Sequence, residues 1–102
     1  MAEATAKAVD KQEFLRRFRS GVTLAEEPGR PGSFRVTQVE PGSPGAEAGF
    51  ARGDLIVELD GKPIPYNLDQ MRVVFRTDGR HTLNVDRAGK RRPVILELKR
   101  AL

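Results

Sequence analysis

The segment Asp54–Leu59 is the most hydrophobic run of the chain, and it limits the possible folds more than any other feature. The run is short, β-branched in its middle, and bounded by turn-forming residues, Gly53 on one side and Asp60-Gly61 on the other. A helix needs about 10–12 residues, whereas a buried strand needs only about 4–8. β-Branched residues also favour strands. The sequence therefore predicts a fold built around one short buried strand.

Other short apolar or alternating segments lie before and after this strand. Asp60-Gly61 is a strong tight-turn signal, so the chain after it returns as a short strand. The predicted strands are Val22–Ala25, Ser33–Val39 with a bulge near its end, Lys62–Ile64, and a closing hairpin of His81–Arg87 and Pro93–Leu98. Because no βαβ alternation appears, five or six short strands predict a mainly antiparallel sheet and an α+β fold class.

Two helices are predicted between these strands, one short and one longer. In the short one, Ser43 is the cap, Pro44 occupies the first helical position, and Gly49 ends the helix. The longer one begins after Asn67, which has Gln70 three residues later, as in a capping box. One face of it comprises Leu68, Met71, Arg72 and Phe75. Of these, Met71 is expected to lie in the core.

The first 19 residues are predicted to form a helical extension or linker, and residues 20–102 the folded domain. Residues 1–19 are rich in Ala, Glu, Lys, Gln and Arg, which are good helix formers. Asp10 can cap a helix over Lys11–Arg17. No basic segment followed by an apolar one opens the chain, so we expect no signal peptide in it.

Composition excludes several classes of protein. The chain has 102 residues, enough for one domain with a modest core, and it contains no cysteine and one histidine. Disulfides and cysteine-based zinc sites are therefore excluded, and no metal or other cofactor is expected. The net charge is +4, but the charges are spread out, and the densest group, Lys90–Arg92, lies in an expected turn. With one Tyr, no Trp and no apolar run of about 18 residues, we expect neither nucleic acid binding nor direct membrane insertion.

The residues that could support catalysis do not form a pattern that indicates an enzyme. Three serines lie in turns or at a cap, namely Ser20, Ser33 and Ser43. The only histidine, His81, opens a strand, no serine has a nucleophile-elbow context, and the Asp-Thr/Ser-Gly motif of aspartic proteases is absent. Three carboxylates alternate along the core strand and are expected to form a solvated edge, namely Asp54, Glu58 and Asp60. The sequence predicts a non-catalytic domain.

The segment Val36–Phe50, followed by Gly53–Ile56 and Leu59–Gly61, resembles a PDZ domain of the bacterial type. The shared pattern is a strand, a Gly-Ser-Pro turn into a short Ala-rich helix, a Gly-Asp pair, an aliphatic strand and an Asp-Gly turn. Gly45 departs from the pattern, because the family usually has Ala there, and a cap turn tolerates the change. The longer helix and the closing hairpin also fit. The resemblance covers about residues 21–98 and implies a small, partly open antiparallel barrel or sandwich.

The order of the elements is similar to that of circularly permuted bacterial PDZ domains. Two strands follow the longer helix, and a helix precedes Gly21. In this order the last strand, Pro93–Leu98, takes the place of the usual first. Such domains are attached to trypsin-like stress proteases, carboxy-terminal processing proteases, site-2-type metalloproteases and retropepsin-like aspartic proteases. The resemblance therefore implies a protease-associated interaction module in the periplasm or at the membrane periphery of a bacterium.

The resemblance also implies a binding mode and the residues that carry it. PDZ domains add a C-terminus or an extended segment of another protein as a strand between one sheet strand and the longer helix. Backbone amides of a glycine loop hold the terminal carboxylate. By position, the loop and pairing strand comprise Ser20, Gly21, Val22, Thr23 and Leu24. The opposite wall comprises Leu68, Arg72 and Phe75, where Arg72 would favour an acidic ligand residue.

Several alternatives stay open from the sequence. Ser20 stands where the family has an apolar residue, which leaves open the depth of the pocket and the need for a free carboxylate. Gly21 could serve as an ordinary turn, and Leu68 and Phe75 as plain core residues. The domain could instead be structural or autoinhibitory, with its groove filled by its N-terminal residues or, through self-association, by the C-terminal Ala101-Leu102 of a neighbouring copy. A nucleic-acid-binding domain rests on charge alone.

Overall fold

Six strands and two helices follow one another in the computed structural model, which describes residues 20–98. In chain order the elements are β1 (Val22–Glu26), β2 (Phe34–Val39), α1 (Pro44–Ala48), β3 (Leu55–Leu59), β4 (Lys62–Pro63), α2 (Leu68–Val74), β5 (Gly79–Arg87) and β6 (Lys90–Leu98). The predicted extension over residues 1–19 lies outside the described residues, and so does Ala101-Leu102.

The strands form one antiparallel sheet in the order β1-β2-β3-β5-β6, with the short β4 paired to β3. The expected α+β class is confirmed, with a short helix, a longer helix and two strands after the longer helix. Thr23 pairs with Gln38, whereas Leu24 pairs with Val36. Thr37 is therefore the extra residue of a bulge near the end of β2, as predicted.

The core lies between the sheet and α2, and β3 is the buried strand that the sequence predicted. The buried apolar side chains belong to the strands, to α2 and to the segments next to the helices: Leu24, Phe34, Val36, Phe50, Leu55, Ile56, Leu59, Ile64, Met71, Phe75, Leu83, Val85, Val94, Leu96 and Leu98. Met71 is fully buried, as expected. In β6 the buried residues alternate with exposed ones such as Ile95, which is the period of a strand with one face on the core. Within the described residues, neither helix has the length and apolar character needed to cross a membrane.

Both helices begin at the predicted caps. The Ser43 hydroxyl accepts a hydrogen bond from the Ala46 amide (3.2 Å), and Pro44 begins α1. Asn67 and Gln70 form a reciprocal capping box, in which each side chain accepts the backbone N–H of the other residue at 2.9 Å. These bonds satisfy amides that have no partner inside the helix, so both helix starts are determined locally.

The closing hairpin is longer than predicted. The turn is only Ala88-Gly89, and both residues have positive φ, 51° and 79°. This is the geometry of a type I′ turn, which joins two strands with two residues. The expected turn over Lys90–Arg92 is therefore wrong. Arg91 pairs with Asp86 across the strands, with 3.0 Å between its Nε and Oδ1 of the carboxylate.

Asp54 is fully buried, so the expectation of a solvated edge is wrong at this residue. The Arg87 guanidinium donates from Nε and Nη2 to the two carboxylate oxygens, at 2.7 Å each. The same Nη2 donates to the carbonyl of Gly49 (2.7 Å), and the Ala51 amide donates to the carboxylate (2.9 Å). We call these contacts the Asp54–Arg87 clamp. The clamp joins the end of α1, the start of β3 and the end of β5.

The clamp determines the protonation state of Asp54. Burial by itself would raise the pKa of this carboxyl. The hydrogen bonds from Arg87 and Ala51, together with the positive charges of Arg87 and Arg92, outweigh burial, so the pKa lies below its ordinary value of 3.8. The buried carboxylate is therefore charged at neutral pH and paired with a guanidinium.

Candidate functional site

The free edge of β1 faces helix α2 across an open groove. β1 is a terminal strand of the sheet, paired with β2 alone among the described strands, and α2 packs against it. The groove encloses about 580 Å³ and is lined by Ser20, Gly21, Val22, Thr23, Leu24, Gln38, Glu40, Arg72, Phe75 and Arg76. A cleft of this size is typical of a ligand site.

The groove contains most of the residues that the sequence singled out. The predicted residues that line it are Ser20, Gly21, Val22, Thr23, Leu24, Arg72 and Phe75. Leu68 does not line it, because its side chain is half-buried against the core at the start of α2. Gln38, Glu40 and Arg76 also line the groove, although they were not predicted from the sequence. Arg76 lies one helical turn after Arg72, so helical spacing could have indicated it. Gln38 of β2 and Glu40, which follows that strand, are identified only by the pairing of β2 with β1.

Position 21 requires glycine for steric reasons as well as for its backbone conformation. Its φ is +76°, a left-handed value that favours glycine. A Cβ atom at this position would lie 2.3 Å from Cβ of Ser43, the cap of α1. The Gly21 carbonyl accepts a hydrogen bond from the Glu40 amide at 2.8 Å. Gly21 is therefore more than an ordinary turn residue, since it lets the loop pack directly on α1.

Gly45 completes this close approach from the side of the helix. The Gly45 amide donates to the carbonyl of Ser20 at 2.8 Å. A Cβ atom on Gly45 would lie 2.2 Å from Cγ2 of Val22 and 2.8 Å from the Ser20 carbonyl oxygen. Glycine at position 45, where the family usually has Ala, therefore leaves room for the loop that packs on α1. We call Ser20, Gly21 and the Val22 amide the Ser20 loop.

The Ser20 hydroxyl forms a bond within this loop. Ser20 is only 4% exposed, and its Oγ accepts a hydrogen bond from the Val22 amide at 3.2 Å. The carbonyl of Gly21 faces β2, and Thr23 is in register with Gln38 of that strand. Because adjacent residues of an edge strand direct their backbone groups to opposite sides, the Val22 amide faces the groove. Ser20 therefore bonds to an amide on the groove side.

The floor of the groove is apolar and continuous with the core. Leu24 and Phe75 are buried, and Phe75 contacts the Phe50 ring with 5.7 Å between centroids. Phe75 packs in the core and also lines the groove. The two roles that the sequence left open for it, core residue and groove wall, are therefore compatible. An apolar floor beneath a free strand edge can accept a side chain while the edge pairs with a main chain.

The rim of the groove is charged on both sides. Arg72 and Arg76 lie on the α2 side, and both are exposed. Arg72 contacts Asp69 one turn earlier (3.2 Å between Nη1 and Oδ1), and Arg76 Nε donates to the Arg72 carbonyl at 3.3 Å. On the β2 side lies the exposed carboxylate of Glu40. The helix side therefore presents positive charge to a ligand, whereas the end near Gly21 includes a negative charge.

A second cavity lies farther along β1. It encloses about 680 Å³ between the β1–β2 loop and the segment before α2, and its lining includes Glu26, Arg30, Phe34, Ile64 and Tyr66. Tyr66 is 40% exposed, which is unusual for a large aromatic residue in this domain. Since Leu24 lines the groove and Glu26 lines this cavity, β1 connects the two.

The serines and the histidine have local structural contacts. Ser43 Oγ donates to the Glu40 carbonyl (2.6 Å), in addition to its role as a cap, and His81 Nε2 lies 2.8 Å from the Thr77 carbonyl oxygen. Between residues 20 and 98, no group of three or more His, Asp or Glu side chains is arranged to hold a metal ion. The groove presents backbone, apolar and charged groups to a ligand.

Sequence comparison matches the chain to a domain family and to part of a bacterial protein. The sequence model of the PDZ domain family matches residues 35–87. A Brucella suis protein assigned as a zinc metalloprotease is 41% identical over 56 residues, which are 54% of this chain and 15% of that protein. The chain thus spans only a small part of this relative.

Solved structures with the same fold include two that carry peptides. An HtrA-type protease, AlgW, solved with a decapeptide, aligns with 81% of this chain and 29% of its own, at a TM-score of 0.63 and 23% identity. The PDZ domain of HtrA3, bound to a phage-derived ligand, aligns with 76% of this chain and 80% of its own, at a TM-score of 0.64 and 21% identity.

Proposed function

The chain belongs to the PDZ domain family, and on this premise we propose that the groove between β1 and α2 binds an extended segment of another protein by strand addition. The observation that carries this proposal is the free edge of β1, which faces α2 across a groove with an apolar floor. Main-chain pairing would supply affinity, and the apolar floor and charged rim would select side chains.

The other terminal strand of the sheet is less suited to pairing. β6 begins with Lys90, Arg91 and Arg92, and Pro93 follows them. Proline lacks an N–H, and a run of charged side chains discourages pairing at a strand edge. β1 contains no proline and no lysine or arginine. A ligand strand is therefore expected at β1 rather than at β6.

The charges on the rim indicate which ligands would bind. Arg72 and Arg76 are exposed and lie on the helix side of the groove. Guanidinium groups pair well with carboxylates. A ligand with acidic side chains toward α2 and an apolar side chain toward Phe75 fits this arrangement. Residues farther along the ligand would reach the second cavity beside Glu26 and Tyr66.

The relatives support a role beside a protease. The Brucella suis relative is assigned as a zinc metalloprotease, and one structural neighbour is an HtrA-type protease. The proposed role is a non-catalytic module, with residues 20–102 as the domain, that recruits substrates to a bacterial protease or regulates it. A location in the periplasm or at the membrane periphery is part of the same proposal.

Selection from random decapeptide libraries tests the function. One library ends in a free carboxylate, and in a second the variable segment lies inside a longer chain. The full 102-residue chain is expected to enrich peptides with alternating apolar residues and at least one acidic residue. Binding of the enriched peptides is then measured with the purified chain.

A charge reversal at the rim of the groove, which leaves the apolar floor unchanged, is compared with a charge reversal outside the groove. Arg72→Glu combined with Arg76→Glu should abolish the enrichment of acidic peptides, whereas Arg80→Glu on β5 should leave it unchanged. Enrichment of no peptide from either library would contradict the proposed function. Equal loss with Arg80→Glu would show that binding depends on overall charge rather than on the groove.

A further inference from the structure

The loop before β1 contains an oxygen acceptor of its own. Ser20 is buried, its carbonyl is held by the Gly45 amide at 2.8 Å, and its hydroxyl accepts the Val22 amide at 3.2 Å. The Val22 amide faces the groove and immediately follows Gly21. It is therefore one of the donors that a ligand carboxylate would need at this loop.

A terminal carboxylate would gain little from this amide. To reach it, the carboxylate must displace the Ser20 hydroxyl, so one hydrogen bond is exchanged for another. The displaced hydroxyl belongs to a residue that is 4% exposed, and a buried polar group without a partner is unfavourable. At the Val22 amide, the loop therefore favours a chain end no more than a continuing chain.

The charge beside the loop acts in the same direction. Glu40 lines the groove, its amide donates to the Gly21 carbonyl, and its Cβ lies 3.3 Å from the position of a Cβ on Gly21. A negative charge here repels a terminal carboxylate but not the neutral carbonyl of a continuing chain. Arg72 and Arg76 attract a side-chain carboxylate as well as a terminal one, so they do not favour a chain end.

We propose that the Ser20 hydroxyl replaces the ligand carboxylate in the loop, so that the groove binds internal extended segments and does not require a free C-terminus. The inference rests on the proposed function of the groove and specifies its ligand class. The ligand continues past Gly21 instead of ending there. A partner would therefore present an exposed extended segment, such as a loop or an unfolded stretch, with acidic residues toward α2.

The test uses one enriched decapeptide in three forms, with a free C-terminal carboxylate, with an amidated C-terminus, and extended by four residues beyond it. The unaltered chain should bind all three within about threefold. Ser20→Ala releases the Val22 amide and should raise affinity for the free acid alone by about tenfold, which is about 1.4 kcal/mol. Ser20→Thr keeps the hydroxyl and should not gain this preference for the free acid. Glu40→Gln should shift preference toward the free acid by a smaller factor.

NMR amide shifts separate the possible failures. In Ser20→Ala, the Val22 amide resonance should move farther with the free acid than with the amidated or extended peptide, which reports the new bond directly. If the unaltered chain binds the free acid more than tenfold tighter than the amide, the inference is wrong although the groove still binds peptides. If no form shifts residues 20–24 or 72–76, the proposed function itself is wrong. Circular dichroism of each variant confirms that it is folded.

Discussion

At the C-terminal end of α1 the Asp54–Arg87 clamp holds a buried carboxylate, and at the N-terminal end the Ser20 loop holds a buried hydroxyl. In the clamp, both carboxylate oxygens bond to Arg87, and the Ala51 amide adds a third donor. In the Ser20 loop, the hydroxyl bonds to a single amide on the groove side. The same helix therefore separates a closed polar site from one that a ligand can enter.

The difference shows how a buried polar group can serve either stability or binding. The partners of Asp54 come from the end of α1 and from β5, so no site for a ligand remains, and removal of one partner leaves an unpaired charge. The partner of Ser20 is a backbone amide on the edge where a ligand strand would pair. A change at the clamp should therefore affect folding most, and a change at the Ser20 loop should affect binding most.

The largest expected effect on stability is at the clamp. Arg87→Leu leaves the Asp54 carboxylate buried without its guanidinium, and should lower the free energy of unfolding by about 3–5 kcal/mol. Urea denaturation of the full chain measures this loss. The matched control is Arg80→Leu, also on β5, which removes an exposed pair with Glu97 of β6 and should cost at most about 1 kcal/mol. Similar losses in the two variants would show that the clamp is energetically an ordinary surface pair.

Gly21 and Gly29 offer a matched pair of substitutions at the loop. Both have nearly the same φ, +76° and +75°, but a Cβ would meet Ser43 at 2.3 Å only in Gly21. Gly21→Ala should therefore destabilise the chain by about 1–3 kcal/mol more than Gly29→Ala, because overpacking adds to backbone strain. Thermal or urea unfolding compares the two. Equal losses would mean that α1 and the Ser20 loop separate easily.

The charged rim should affect binding with little effect on stability. Replacement of Arg72 and Arg76 by Gln should weaken binding of an acidic decapeptide by about 3–10-fold, since exposed ion pairs contribute about 0.2–1 kcal/mol each. The same peptide with Gln in place of its acidic residues should lose less than about twofold. Isothermal titration calorimetry measures both. An equal loss for the two peptides would exclude charge as the basis of selection.

The smallest expected effect is the dependence of the free energy of unfolding on acid pH through the clamp. The pKa of Asp54 is lowered below 3.8 in the folded state, so its stabilisation is fully present above the unfolded value. It is lost as the pH falls below about 4 and through the folded pKa, because the unfolded state then binds the proton more readily. Unfolding free energies between pH 2 and pH 7 should fall in that window for the unaltered chain. In Arg87→Leu this fall should be absent or reversed.

Local sequence signals predicted the parts of the fold that depend on neighbours in the chain. Ser43 and Asn67 cap the two helices as expected, and the short apolar run at residues 54–59 became the buried central strand. The turn before β6 was predicted to be longer than the observed Ala88-Gly89, because alanine is not a strong turn residue. Its positive φ is seen only in the structure. Pairing of Arg91 with Asp86 is a cross-strand contact that the local pattern does not report.

The candidate site was predictable where its residues follow from the family pattern, but not where strand pairing brings residues into the groove. Residues 20–24 came from position in the family pattern, whereas Glu40 and Gln38 join the groove through the β1–β2 register. Asp54 was assigned to a solvated edge because its partner, Arg87, is 33 residues away. A contact between residues so distant in sequence is determined by the fold and not by local spacing.

Strand addition at the edge of β1 is tested most directly by an NMR titration of the ¹⁵N-labelled chain with the decapeptide most enriched from the libraries, followed by intermolecular NOE measurement. Amide shifts should concentrate in residues 20–25 and 72–76, with cross-strand NOEs between the peptide backbone and Val22 or Leu24. Shifts along β6, or shifts at the groove without any cross-strand NOE to β1, would contradict strand addition at this edge.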